Sequence, residues 1–391
     1  MSEKDDEKRN GFREDEERQM KAEKFIEDYL KDYVRFKDYW NYEDGCVLTG
    51  AVQMYEASGE EDYAAFVENY YKYFIMEDGS IAHAHPNRFN IDNINSGKAL
   101  FFMYERTGEE KYRKALEAVM EQLREHPRCE CGNFYHKEIY PKQIWLDGLY
   151  MAQPFYMEYE TKYDKKEKYN DIIHQFENVQ KYMYDEEKGL CYHGYDEAKT
   201  QFWADKKTGC SASFWLRSIG WYLMALVDVM DEMSVEIYEQ YRKLEDIYRL
   251  VLRGILKYQD KESRLFYQVA DRSDAEGNYT ETSGSLMVAY SILKACRMGI
   301  LLKEKYAAVG MDILERIVEN RLEERDGKLH LTGICHAAGL GPEDNPVRDG
   351  SLAYYLSEKT GEDDPKAAGV LMMAYAQYIQ LKREMERDGA L

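Results

Sequence analysis

A repeat constrains this chain more than any other feature. Met54-Tyr-Glu-Ala-Ser-Gly-Glu-Glu-Asp-Tyr63 is matched by Met103-Tyr-Glu-Arg-Thr-Gly-Glu-Glu-Lys-Tyr112, 49 residues further on. Each copy reads as a helix ending at a glycine, with a second helix beginning at once. Gly59 and Gly108 sit where a positive φ commonly closes a helix. A third, decayed copy is read at Tyr354-Tyr-Leu-Ser-Glu-Lys-Thr-Gly361. A repeat of this length means stacked helix pairs, because one pair cannot bury its own apolar face.

Helical periodicity fills most of the remaining chain: Gly45–Ala57, Asp62–Ile75, Ile94–Arg106, Glu109–Leu123, Leu146–Tyr159, Phe214–Met230 and Ser283–Met298. Strand-like alternation is confined to pieces such as Leu190–His193 and Leu265–Val269. Six helix starts fall near Asp44, Asp92, Trp145, Trp215, Glu281 and Asp349. Short turns alternate with long connections, so in an antiparallel array every long connection emerges at the same end. Six hairpins closed into a ring form an all-α (α/α)6 barrel. An open solenoid with polar ends is the alternative, and the charged segment Asp5–Lys24 is a candidate cap for it. The expected organisation is a charged N-terminal tail over residues 1–24, a candidate for disorder, followed by a single barrel domain over 25–391.

Charge and cysteine usage exclude several function classes. Asp+Glu number 74 against 53 Lys+Arg, a formal charge of -21 with no basic patch, so nucleic acid is not an expected partner. The charged N-terminus has no apolar signal core. The longest apolar stretch, Ile219–Met230, is too short for a bilayer and contains Asp228, so no membrane association is expected. Seven scattered cysteines fit a reducing cytoplasm better than a disulfide framework. Cys129-Glu-Cys131 lacks the usual zinc spacing, and His83-Ala-His85 has no supporting carboxylates, so no metal is expected. No phosphate-cradling glycine loop or nucleophile elbow is present, and no cofactor is expected.

The residues able to do chemistry gather on the long connections and helix starts. Trp40, Trp145, Trp203 and Trp215 lie there, with Trp221 one to two turns into its helix. Aromatic-lined concave sites suit small ligands, and indoles suit sugar rings; core packing is the alternative for any one of them. Asp147 sits in Ile144-Trp-Leu-Asp-Gly-Leu-Tyr150. Apolar neighbours would raise its pKa and make it a general acid, whereas a carboxylate serving only the helix dipole would have a lowered one. Asp92 reads either as a helix N-cap or as the second carboxylate of a glycoside-cleaving pair. His136, Lys137 and His193 follow strand-like pieces of equivalent repeats, which favours a shared site. Arg217 interrupts an apolar helix and must find a partner, either a buried acid or a substrate carboxylate held by its guanidinium fork.

Several blocks resemble glycoside hydrolase family 105, the unsaturated rhamnogalacturonyl hydrolases. They are Trp40-Asn-Tyr-Glu-Asp-Gly45, Asn90-Ile-Asp-Asn-Ile-Asn-Ser-Gly97, Tyr140-Pro-Lys-Gln-Ile-Trp-Leu-Asp-Gly-Leu-Tyr-Met151 and Tyr192-His-Gly-Tyr-Asp196. Phe214-Trp-Leu-Arg-Ser-Ile-Gly-Trp221, Glu281-Thr-Ser-Gly-Ser285 and Val347-Arg-Asp-Gly-Ser351 continue the match, which runs from Trp40 to Ala374. The resemblance implies a closed barrel that hydrates the C4=C5 double bond of an unsaturated uronic acid. The partner would be a small lyase-made oligosaccharide, such as the unsaturated rhamnogalacturonan disaccharide. By position, Asp147 would protonate C4 and Asp92 would stabilise charge at C5. His193, Trp215 and Arg217 would hold the unsaturated sugar, with His136 and Lys137 nearby. Tyr42, Trp145 and Trp221 would complete the pocket. The enzyme is expected to be a cytoplasmic monomer or weak homodimer. Beyond about 8 Å, salt screens the acidic surface from an anionic substrate.

Overall fold

The computed structural model describes residues 3–84, 88–234 and 236–389, with side chains from residue 16 onward. Thirteen α-helices follow in order among these residues. They are α1 (Glu3–Lys31), α2 (Tyr42–Ser58), α3 (Glu61–Phe74), α4 (Ala99–Thr107), α5 (Glu110–Arg124), α6 (Leu146–Lys162) and α7 (Tyr169–Met183). The rest are α8 (Leu216–Glu232), α9 (Tyr238–Ile255), α10 (Thr282–Arg297), α11 (Lys303–Arg321), α12 (Leu352–Ser357) and α13 (Pro365–Arg387).

The helices make two concentric layers. The inner ring is α2, α4 with the 3₁₀ turn Ile91–Gly97 before it, α6, α8, α10 and α13. Each packs on the next, and α13 returns to α2, so the ring is closed. Residues Leu216 through Met230 of α8 are all buried. A helix apolar all round belongs inside. Outer helices carry one apolar face, as in α9, where Leu244, Tyr248, Val251, Leu252 and Ile255 are buried. Closure depends on glycine: a Cβ on Gly369 would lie 2.4 Å from the Cys46 carbonyl, and one on Gly50 would lie 2.7 Å from the Gly369 oxygen. The two clear repeat copies end as expected. Gly59 (φ 76°) and Gly108 (φ 68°) are left-handed caps whose N–H groups donate to the Tyr55 and Tyr104 carbonyls.

Four expectations are corrected. The third repeat copy is not a helix pair, because Thr360–Gly361 forms β8 against β7 (Ile334–Cys335). The sixth inner helix therefore starts not near Asp349, which precedes the short α12, but at Pro365, where the Asp364 side chain accepts from the Lys366 N–H. The periodic segment Ile94–Arg106 is split, its Asn/Ser/Gly-rich start forming the 3₁₀ turn. The sixth pair joins the two ends of the chain: α1 packs on α11 and α13 as the sixth outer helix. The tail boundary expected at 24/25 falls inside α1, where Ala22, Phe25 and Ile26 are core residues and Arg18 donates to Glu319 at 2.7 Å.

Short strands decorate the end where the inner helices begin. β1 (Gln143–Trp145) pairs antiparallel with β4 (Gly194–Asp196), and β2 (Tyr184–Asp185) with β3 (Leu190–Cys191). β5 (Leu322–Arg325) pairs with β6 (Lys328–Leu331).

Candidate active site

The β1–β4 ladder sets Trp145 opposite Gly194, and the Leu146 N–H donates to the His193 carbonyl at 3.0 Å. His193 is thereby carried over the first turn of α6. Its Nε2 lies 3.1 Å from Asp147 Oδ2. Both atoms are buried, and neither has a well-aligned hydrogen bond among the described residues. Nδ1 of His193 meets the Tyr355 hydroxyl at 2.6 Å. The imidazole is flanked by Trp215, with ring centres 4.8 Å apart, and by the edge of Trp145 at 5.4 Å.

A second bridge supplies the other carboxylate. Asn90 pairs with Lys137, and the Ile91 N–H donates to the His136 carbonyl. Lys137 Nζ then reaches Asp92 Oδ2 at 3.0 Å, with His136 Nε2 at 3.7 Å from Oδ1. Asp92 is not the N-cap. Asn90 takes that role, its side chain accepting from the Asp92 N–H. Asp92 is left as a buried carboxylate paired with a cation. His136 stacks on Trp145 at 4.2 Å, and its own Nδ1 is buried without a partner among the described residues.

Arg217, on α8, is buried. Its Nη1 donates to the Cys335 carbonyl and, at 3.3 Å, to Ser283 Oγ. The buried acid Glu281 stands behind both: it caps α10, accepting from Ser283 and Gly284, and accepts from the Cys335 N–H. The guanidinium also lies over Trp215, 4.9 Å from the ring centre. No hydrogen bond reaches Nε or Nη2 among the described residues, so Arg217 is braced on one edge and available on the other. Tyr42, half-buried at the start of α2, lies within electrostatic range of both Arg217 and Asp92.

The electrostatics overturn one expectation. Burial pushes the Asp147 carboxyl up, but the charge and hydrogen bonding of His193, then the charge of His136, outweigh it and hold Asp147 below its ordinary value. His136 is itself pushed down to about 4 by burial. At neutral pH it is uncharged, and Asp147, held low beside His193, is ionised in the free site. Lys137 is raised, the attraction of Asp92 exceeding the opposing effect of burial.

The geometry therefore unites Asp147, Asp92, His136, Lys137, His193, Trp145, Trp215, Arg217 and Tyr42. Trp221 lies deeper, stacked on Tyr150 at 4.6 Å inside the ring. Trp203 joins Trp145, Tyr140 and Leu340 in a small apolar cluster, and Trp40 packs on Tyr71 and Phe74. Tyr355 and Gln268 were not legible from sequence. Tyr355 reads there only as part of the decayed repeat, and nothing local marks either residue. Of the two weak metal motifs, His85 lies outside the described residues. Cys129 and Cys131 approach Glu197, with ligand atoms within 4.8 Å of one another. That carboxylate already accepts from the Glu130 and Cys131 N–H groups.

A closed double-layered helical barrel, with a carboxylate pair, aromatic rings and a half-braced arginine where its inner helices begin, defines a barrel glycosidase. The profile of Glycosyl Hydrolase Family 88 matches residues 15–382. The chain belongs to that family, in the branch described as glycoside hydrolase family 105. A family 105 glycoside hydrolase structure from C. acetobutylicum ATCC 824 is 38% identical, with TM-score 0.87, covering 91% of this chain and 98% of its own. The 24.9 kDa protein in the picA locus of Rhizobium radiobacter is 40% identical over 242 residues, which is 60% of this chain and all of that protein. The unsaturated rhamnogalacturonyl hydrolase YesR of Bacillus subtilis (strain 168) is 24% identical over 282 residues, 71% of this chain and 76% of its own. The protein is thus a hydrolase, and the reading of the chain as an open solenoid falls away. No helix among the described residues is long and apolar enough to cross a membrane.

Proposed function

We propose that the protein hydrates the C4=C5 double bond of an unsaturated uronyl residue at the non-reducing end of a lyase-made oligosaccharide, and that the unsaturated rhamnogalacturonan disaccharide is its substrate. One observation carries the reading: the buried contact of His193 Nε2 with Asp147 Oδ2 at 3.1 Å, beside an arginine with an unused edge. Arg217 would take the C6 carboxylate of the uronate through Nε and Nη2, a bidentate match of charge and shape. Asp147, once protonated, would deliver its proton to C4. The positive charge then arising at C5 and the ring oxygen would be met by Asp92. Water would add at C5 with Asp147 now the base, and the hemiketal would open to release the neighbouring sugar.

The state of Asp92 favours this chemistry over cleavage of a saturated glycoside. A carboxylate neutralised by Lys137 at 3.0 Å is a poor base or nucleophile but still screens a developing cation. The relationship to YesR supports rhamnose as the leaving sugar. Seven free thiols, five of them on buried residues other than Cys129, support a cytoplasmic setting. The test is turnover of the unsaturated rhamnogalacturonan disaccharide beside unsaturated glucuronyl disaccharides, followed by loss of the ultraviolet absorbance of the conjugated double bond. Turnover confined to the glucuronyl compounds would overturn the choice of substrate.

A further inference from the structure

His193 has two ring nitrogens and two neighbours. Nε2 faces Asp147 Oδ2 at 3.1 Å, and Nδ1 faces the Tyr355 hydroxyl at 2.6 Å. Tyr355 is the one polar side chain that meets the far side of the ring among the described residues.

It is also held in place. Its ring stacks on Trp215, with centres 5.8 Å apart and planes 19° from parallel. Gln268 ties the two together: Nε2 donates to the Tyr355 carbonyl at 3.4 Å, while Oε1 accepts from Trp215 Nε1 at 3.2 Å. Tyr355 cannot swing away without disturbing a residue of the sugar pocket.

We infer that Tyr355 is a positioning residue that fixes the tautomer of His193. It donates its hydroxyl proton to Nδ1, so that Nε2 carries the ring proton toward Asp147 Oδ2. The consequence lies in the carboxyl group of Asp147. Oδ2 is buried and faces Nε2 at 3.1 Å, so a ring proton on Nε2 is aimed at it and the catalytic proton resides on Oδ1. The Asp147 side chain retains 14% exposure, which leaves the rest of the carboxyl open to a substrate. Deep burial keeps the Tyr355 phenol protonated, so the donor is present across the working range. This fits the general pattern in which the partner of one ring nitrogen decides what the other does.

Without the hydroxyl, His193 is free to carry its proton on Nδ1. Nε2 would then accept, and would draw the Asp147 proton onto Oδ2, away from the substrate. Tyr355→Phe removes the hydroxyl and keeps the ring. It is expected to lower kcat by about 10- to 100-fold, the scale of one lost hydrogen bond in a buried charged site. KM should stay within about twofold, since no sugar contact is removed.

Nitrogen-15 NMR of histidine-labelled protein, with His193→Asn assigning the signal, reads the tautomer directly. The wild type should show a protonated Nε2 and a hydrogen-bonded, unprotonated Nδ1 for neutral His193. In Tyr355→Phe the hydrogen-bond shift of Nδ1 should vanish and the Nδ1-protonated form should appear. An Nδ1-protonated wild type, or a folded Tyr355→Phe with unchanged kcat, overturns the inference. The wild-type spectrum needs no variant, so a variant that fails to fold leaves the test intact. The kinetic arm rests on the double-bond hydration reading. The NMR arm does not, so a protein inactive on every unsaturated uronide would refute that reading while the spectrum still decides the role of Tyr355.

Discussion

His193 Nε2 lies 3.1 Å from Asp147 Oδ2, and the two atoms reach each other from different parts of the chain. One is delivered by the residue before β4, the other by the first turn of α6. The pairing of β1 with β4 makes them neighbours. A carboxylate so placed is held ionised in the free site, and everything in the proposed chemistry turns on how it acquires and places one proton.

Asp147→Asn keeps the shape of the side chain and cannot hold that proton. Loss of general acid–base catalysis costs about 10²- to 10⁴-fold in kcat. KM should change little, because the sugar is held by other groups. Steady-state rates on the unsaturated disaccharide, with circular dichroism to confirm folding, check this.

Arg217→Lys keeps the charge and loses the fork. The bonds to Cys335 and Ser283 use one edge of the guanidinium, and an ammonium cannot serve both sides. KM should rise about 10- to 100-fold, the range for a hydrogen bond to a charged group. Against the methyl ester of the uronate the penalty should largely disappear, since wild type has then already lost the carboxylate. An equal penalty on acid and ester would remove Arg217 from that role.

His126 and His136 are each held uncharged by burial, down to about 4 from an ordinary 6.5. Below about pH 6.5 the unfolded chain binds two protons that the folded one refuses until about pH 4. Stability is therefore full above that window and lost as pH falls through it. The lowered Asp147 acts in the same sense but in a lower window, its contribution being lost only as pH drops below the ordinary carboxylate value of 3.8. Thermal midpoints between pH 7 and 4 should fall steadily, and His136→Asn should remove about half the slope.

Gly369→Ala tests ring closure. Its Cβ would meet the Cys46 carbonyl at 2.4 Å, and backbone there cannot yield as a side-chain tip can. Overpacking of this kind costs about 1–3 kcal/mol. A lowered urea midpoint is expected, and an unchanged one would mean that α13 and α2 part easily.

Much of the fold was legible because it is repetitive. Gly59 and Gly108 end helices for a local reason that the sequence displays. The last inner helix was misplaced because Gly361 imitates that signal while pairing in a strand with Ile334, a contact no local pattern reveals. The role of α1 was hidden by composition: its charge suggests a tail, whereas Phe25 and Ile26 complete the outer layer. In the site, Asp147, Asp92, His193 and Arg217 stood out as polar residues in apolar or strand-like surroundings. The direction of the Asp147 shift was misread, because desolvation is visible from its neighbours in sequence and His193, 46 residues away, is not. Tyr355 and Gln268 act only through contacts across the barrel end.

Double-bond hydration is tested most directly by following two signals in one reaction: ultraviolet absorbance of the unsaturated uronate, and release of rhamnose from the unsaturated rhamnogalacturonan disaccharide. The account predicts that wild type loses absorbance in step with, or ahead of, sugar release, and that Asp147→Asn does neither at a comparable rate. Rhamnose released while the absorbance persists, or equal cleavage of the saturated disaccharide, would contradict it.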